Sequence, residues 1–218
     1  VYKRQVYTGA FEHHFIKVIR LPKPDGQNNA EVIKQLKSVL KEKTIAGFIY
    51  EPLVQGAAAM KTYDLKGLEE ILKLCKAQDV ICVADEVMTG FGKTGKHFAS
   101  DYLSQKPDVM CLSKALSAGM VGMGITSCTK KVYKAFYADD VAKGLFHGHT
   151  YTGNPLACAA AIAGIELLQS QEIQDSIKTI MSLNQLFADK IRKHPMVGEV
   201  RQIGVILALD LSLEMERY

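Results

Sequence analysis

Between Asn29 and Lys43 the apolar residues Val32, Ile33, Leu36, Val39 and Leu40 recur at helical spacing. This predicts an amphipathic helix, with Asn28 or Asn29 placed to cap it. The run Ile45 to Tyr50 (IAGFIY) is short, apolar and closed by Glu51 and Pro52, so it reads as a buried strand followed by a loop. Asp64 stands ahead of a second stripe at Leu65, Leu68, Ile71, Leu72 and Cys75, and that helix leads into VICVA, Val80 to Ala84, another continuous apolar strand. Strand, helix and strand in this order imply a right-handed βαβ crossover.

Two more strand-like runs come next, DVMCLS (Asp108 to Ser113) and GMGITSC (Gly122 to Cys128). Helices are expected from Lys130 to Tyr137 behind Thr129, and from Pro155 to Gln169, where Asn154 caps and Pro155 takes the first helical position. A third is expected from Glu172 to Lys193, with Ile173, Ile177, Ile180, Phe187 and Ile191 on one stripe. After Pro195 the runs EVRQ and VILALDL, with Gly204 as the turn between them, are expected to begin a smaller subdomain. Continuously apolar strands alternating with amphipathic helices give an α/β fold whose mostly parallel sheet is covered on both faces.

Composition narrows the class without naming a function. With 48% hydrophobic and 23% charged residues, the chain is expected to be soluble and globular; disorder, collagen and coiled coil are excluded. The formal charge is only +4 and its lysines are interspersed with acids, which implies no nucleic-acid or membrane surface. Five cysteines, an odd number without CxxC spacing, sit mostly in apolar runs and point to a reducing, cytoplasmic setting. The longest apolar stretch, Leu156 to Leu168, is short and broken by Gly164 and Glu166, too little to span a bilayer. The opening residues of the chain are not expected to be a signal peptide. It starts at Val1 and stops at Tyr218 soon after VILALDL, so a partial chain is expected, and the opening VYKRQ has no periodic relation to the residues after it.

Candidate chemistry lies in loops and at strand ends. Gly90, Gly92 and Gly95 in GFGKTGK satisfy G-x-G-x-x-G, and Gly90 to Lys96 also satisfies the start of a P-loop. His97 stands where magnesium chemistry needs Ser or Thr, and five residues separate the loop from its strand, so a turn or packing loop is the favoured reading. Asp85 follows VICVA and Lys114 follows DVMCLS, and ligands of such sheets bind outside the carboxyl ends of the strands. The two residues are therefore either a buried ion pair or the two sides of a cofactor site. Pyridoxal phosphate needs such a set: a lysine for a Schiff base and a carboxylate for its pyridine nitrogen. Asp85 and Glu86 are adjacent on a strand and point to opposite faces, so they do not share a site. His147 and His149 lack further ligands at metal-site spacing. His13 and His14 are expected at the surface, and no Ser-His-Asp order is supported by spacing.

The segments IAGFIYEPLVQG, VICVADEVMTGFGKTGK, PDVMCLSKALSAG and FHGHTYTGNPLACAAA together resemble the class III, fold-type I, pyridoxal-phosphate-dependent aminotransferases, from about Ile45 to Leu168 and more weakly to Leu211. The separation of Asp85 and Lys114 also resembles the family's spacing. By matching position, the resemblance implies that Lys114 is the Schiff-base lysine and Asp85 the partner of the pyridinium nitrogen. It further implies that Thr150 binds the cofactor phosphate across a homodimer interface, with His149 beside the cofactor and Gly148 beside the substrate. A pyridoxal-phosphate-binding large domain over 6–193, incomplete at its amino end, and the start of a small carboxyl-terminal subdomain over 194–218 are implied by the same resemblance.

The segment from Lys130 to Ala161 is most similar to the branch of this family that serves biotin synthesis with S-adenosylmethionine as amino donor. Met88 departs from the glutamine that many ω-amine members carry there, and Glu51 matches a residue that in those members pairs with a carboxyl-terminal arginine. Members acting on ornithine, acetylornithine or ω-amino acids, and an incomplete homologue that binds cofactor without turnover, are the alternatives. The family's amino-terminal phosphate loop and ring-stacking aromatic, and its carboxyl-terminal substrate arginine, have no counterpart in this sequence.

Overall fold

In the computed structural model, which describes residues 16–42 and 44–212, the first stripe folds as α1 (Asn29–Leu40), burying Val32, Ile33, Leu36 and Leu40. The opening VYKRQ, His13 and His14 lie outside the described residues, as does Lys43. Asn28 occupies the capping position but its side chain does not cap; its side-chain oxygen accepts from Asp25 N instead, while Asn29 donates to Asp64. Asp64 caps α2 (Leu65–Ala77) as expected, accepting from Gly67 N at 2.8 Å. Leu68, Ile71, Leu72 and Cys75 of α2 interleave with the α1 stripe and with Tyr50, Cys82 and Ala84 of the sheet to form the main core.

Four strands form that sheet: β1 (Gly47–Tyr50), β4 (Ile81–Asp85), β5 (Val109–Leu112) and β6 (Ile125–Cys128), side by side in this order. The first two pairings are parallel and β6 returns antiparallel to β5. The β1–α2–β4 unit is thus the expected parallel crossover. Strand β4 is at least half-covered on both faces, with Cys82 and Ala84 fully buried. The edges are not: β6 is exposed along its length, and Ile49 of β1 is 66% exposed. The expectation of a buried first strand is therefore corrected, because an edge strand needs only one face against the core.

Between β1 and α2, where a plain loop was expected, β2 (Val54–Gln55) and β3 (Lys61–Thr62) form a short antiparallel ribbon. Helix α3 spans Lys130–Phe136, and Thr129 sits at its start without a side-chain capping bond. Helix α4 (Pro155–Gln169) has the predicted cap, Asn154 Oδ1 accepting from Ala157 N at 2.9 Å. Helix α5 (Gln171–Ile191) is capped by Ser170. Its covered stripe runs through Ile173, Ile177, Met181, Asn184, Ala188 and Ile191, so the expected places of Ile180 and Phe187 are wrong; both are exposed. The helix turns this stripe toward the glycine-rich loop and the last hairpin, which accept a polar Asn184 that donates to Val205 O at 3.0 Å.

That hairpin pairs β7 (Val197–Ile203) with β8 (Ile206–Leu211), turning at Gly204. Ile203 and Ile206 pack on Leu53, Val54 and Ala99. Arg201, 7% exposed, holds Asp210 with two hydrogen bonds of 3.0 and 2.9 Å and donates to Ala59 O at 2.8 Å. Gly204 has a φ of +57°, and a Cβ there would lie 2.3 Å from the backbone of Thr94. Backbone atoms cannot swing aside as a side-chain tip can, so Gly204→Ala is expected to destabilise the fold by about 3 kcal/mol. Urea denaturation checks this: the midpoint falls with an unchanged slope, and an unchanged midpoint contradicts the packing described.

Candidate active site

Because β1, β4 and β5 are parallel, their carboxyl ends lie along one edge of the sheet. Glu51 follows β1, Asp85 ends β4, and Ser113 and Lys114 follow β5. Asp85 stands opposite Cys111 in the last register pair of β4 and β5, so the carboxylate and the lysine leave the sheet from neighbouring strands. The edge is thus the kind of crevice in which open α/β sheets bind ligands.

The backbone at Lys114 is unusual for its residue type. Its φ is +48°, in the left-handed region, which costs a non-glycine residue of order 1–3 kcal/mol. Ser113 before it is fully extended, and Lys114 opens a single 3₁₀ turn, Lys114–Ser117, closed by Ala118 in a second left-handed conformation. Two serines staple this turn to the segment ahead of β6, Ser113 Oγ donating to Met123 O at 2.6 Å and Ser117 Oγ to Val121 O. Helix α4 lies against it from the other side. Ala157 and Ala161 are buried, and a Cβ at Gly164 would stand 3.3 Å from Leu116 O and Ala118 N. The small residues of α4 therefore let its backbone approach the turn that carries Lys114.

Asp85 Oδ1 accepts from Val87 N at 3.1 Å, which fixes one carboxylate oxygen against its own turn. Cys111 faces it, and its thiol is pushed up by burial and then by the Asp85 carboxylate, with Thr126 opposing. Glu86 lies just past the end of β4 and has partners distinct from those of Asp85. It is fully buried, and its carboxylate accepts from Thr89 Oγ1 at 2.7 Å, Ala99 N at 3.0 Å and Ser100 N at 2.7 Å. Nothing in the spacing signals those partners, since two of them lie 13 and 14 residues on. Glu51 Oε2 accepts from Gly56 N at 2.9 Å, and the Met88 thioether lies beside Gly56.

GFGKTGK is a packing loop. A Cβ at Gly92 would meet Ile177 and Leu168, and one at Gly95 would meet Met181 and Tyr102. Lys93 O accepts from Val205 N at 3.0 Å and Thr94 O from the Tyr102 hydroxyl at 2.8 Å. The glycines thus admit helix α5, while Lys93 O holds the hairpin and Thr94 O the Tyr102 hydroxyl.

Gly148, His149 and Thr150 lie in an exposed segment ahead of α4. His149 N donates to Thr152 Oγ1 at 2.9 Å, and the His147 and His149 rings meet edge to face at 5.6 Å. Beside them in sequence, Phe146, Tyr151 and Leu156 are each more than 70% exposed, as are Met120, Tyr137 and Val141. No helix among the described residues is long and apolar enough to cross a membrane.

The Aminotransferase class-III family profile matches residues 2–217. An adenosylmethionine-8-amino-7-oxononanoate aminotransferase of Staphylococcus aureus is 38% identical over 188 residues, covering 85% of this chain and 42% of the relative. One from Synechococcus elongatus is 35% identical over 99% of this chain and 52% of its own length. The crystal structure of the enzyme of that name from Methanocaldococcus jannaschii superposes with a TM-score of 0.85 at 32% identity, covering 95% of this chain and 48% of that one. The chain spans about half the length of these relatives.

Proposed function

Since the chain belongs to the class-III aminotransferase family, we propose that the protein transfers an amino group from S-adenosylmethionine to 8-amino-7-oxononanoate. The product is 7,8-diaminononanoate for biotin synthesis, and pyridoxal 5′-phosphate is the cofactor. The observation that carries this reading is the pairing at the carboxyl edge, with Lys114 in a left-handed backbone at the end of β5 and Asp85 at the end of neighbouring β4. The choice of donor and acceptor rests on the names of the relatives.

The donor set fits this cofactor: an amine for an aldehyde carbon, a carboxylate for a ring nitrogen and, in Thr150, a hydroxyl for a phosphate. When bound, the cofactor supplies an electron sink for a substrate carbon that loses its proton. Lys114 Nζ would anchor the cofactor covalently and leave as a free amine when the donor's amino group takes its place. As a free amine, Nζ would take the proton from the donor's α-carbon and return it at the cofactor's aldehyde-derived carbon, a general-base and general-acid role. The Asp85 carboxylate would hold the ring nitrogen's proton, because an opposite charge favours the charged form.

The exposed large apolar side chains flanking His149 and Thr150 in sequence, Phe146, Tyr151 and Leu156, support a homodimer, since exposed apolar groups are covered in association. In that assembly Thr150 and His149 would serve the cofactor, and Gly148 the substrate, of the neighbouring subunit's site. The hairpin of β7 and β8 would begin the small subdomain, and the cytoplasm would be the compartment.

Mass spectrometry of the keto product tests the donor. A single turnover with S-adenosylmethionine is expected to yield its 2-keto acid, and ornithine and β-alanine are expected to yield none. The reverse preference replaces this reading with an ornithine or ω-amino branch. No product from any of the three favours a homologue without turnover.

A further inference from the structure

A fully buried carboxylate sits immediately after Asp85, and the mechanism above does not use it. Glu86 is 0% exposed and accepts three hydrogen bonds from neutral donors, the Thr89 hydroxyl and the first two main-chain N–H groups of the 3₁₀ turn Ala99–Tyr102. An ionised carboxylate is acceptor-only, so three converging donors suit it better than they suit an amide. Its main chain is fixed as well. Glu86 N donates to Cys111 O at 3.0 Å, one step beyond the Asp85–Cys111 pair, and Gly90 N donates to Glu86 O at 3.0 Å.

The position of Asp85 depends on this anchor. Asp85 Oδ1 accepts from Val87 N, so the group to be aimed and one donor that aims it flank Glu86 on either side. Any tilt of Glu86 moves both. Ala99, which donates to Glu86, is itself packed in a cluster with Leu53, Val54, Met88, Ile203 and Ile206, which leaves the Ala99–Ser100 turn little freedom to follow. We propose that Glu86 is a positioning residue that holds the Asp85 carboxylate at the cofactor's ring nitrogen, a role that rests on the cofactor reading above.

The test uses the whole protein as its gene encodes it, loaded with pyridoxal phosphate labelled with ¹⁵N in the ring. Glu86→Gln keeps the volume but turns an amide N–H₂ toward groups that are themselves donors. In the parent the ring nitrogen is expected at its protonated chemical shift. In Glu86→Gln it moves toward the unprotonated value, and kcat per cofactor-loaded subunit falls about tenfold, the change expected from one unit of lost proton affinity, with KM for the donor unchanged. Thr89→Val removes only the hydroxyl donor and is expected to shift both readouts the same way by less, which keeps the test decisive if Glu86→Gln does not fold. A lower melting temperature with unchanged ring shift and unchanged kcat per loaded subunit would make Glu86 merely structural and overturn the proposal. A parent that takes up no cofactor on Lys114 overturns the cofactor reading itself, and the role of Glu86 with it.

Discussion

Lys114→Ala is expected to lose transamination, with turnover reduced by about 10⁴-fold or more. The residue has two duties in the proposed reaction, covalent anchor and proton carrier, and alanine supplies neither. Multiple-turnover assays with S-adenosylmethionine read the loss directly, and a variant that still turns over at a tenth of the parent rate would refute the assignment. The backbone gives a second, opposite expectation. At a φ of +48° glycine meets no steric penalty where lysine does. Lys114→Gly is therefore expected to be equally inactive yet at least as stable as the parent by urea denaturation. A clear loss of stability in Lys114→Gly would mean that the strained backbone is held by contacts of the lysine side chain.

Asp85→Asn is expected to reduce turnover by about 10²–10⁴-fold. Asparagine keeps the shape and can still accept from Val87 N, as Asp85 Oδ1 does at 3.1 Å. What it removes is the charge that would keep the ring nitrogen protonated, so the activity that remains is expected to decline at lower pH than in the parent as pH rises. A cofactor-free readout accompanies it. The Cys111 thiol is raised by burial and by the Asp85 carboxylate, and removing that neighbouring negative charge favours the thiolate. Cys111 is thus expected to titrate lower in Asp85→Asn than in the parent, while burial still keeps it above an ordinary thiol. The pH dependence of its alkylation measures this, and an unshifted profile would mean that the carboxylate does not face β5.

Local chemistry was the most legible part of the chain. Asp64 and Asn154 cap helices because each stands directly ahead of an apolar stripe, and Gly204 turns a hairpin between the runs EVRQ and VILALDL. Asn28 and Thr129 stand in equivalent places and do not cap; the Asn28 side-chain oxygen is already taken by Asp25 N. The two-residue strands of the β2–β3 ribbon are too short to show an alternating pattern. The phase of α5 differs from the apolar stripe because its buried face is selected by what it meets, a glycine-rich loop and a hairpin carbonyl, and that favours Met181 and Asn184 over Ile180 and Phe187.

The site divides in the same way. That Asp85 and Lys114 would emerge at one sheet edge could be read from strands that end in them, and the parallel pairing places them there. The left-handed backbone of Lys114, the close approach of α4 at Gly164 and the burial of Glu86 all depend on contacts distant in sequence. GFGKTGK has a nucleotide-loop spelling, yet its glycines are needed for close packing against α5. Spelling alone does not distinguish a loop that receives a phosphate from one that receives a helix.

Whether Lys114 anchors the cofactor is decided by borohydride reduction of the protein with pyridoxal phosphate, followed by peptide mass spectrometry. A phosphopyridoxyl group is expected on the peptide containing Lys114 and on no other at equimolar cofactor. A protein that carries the group on another lysine, or on none, would contradict the role given to Lys114 and the reaction built on it.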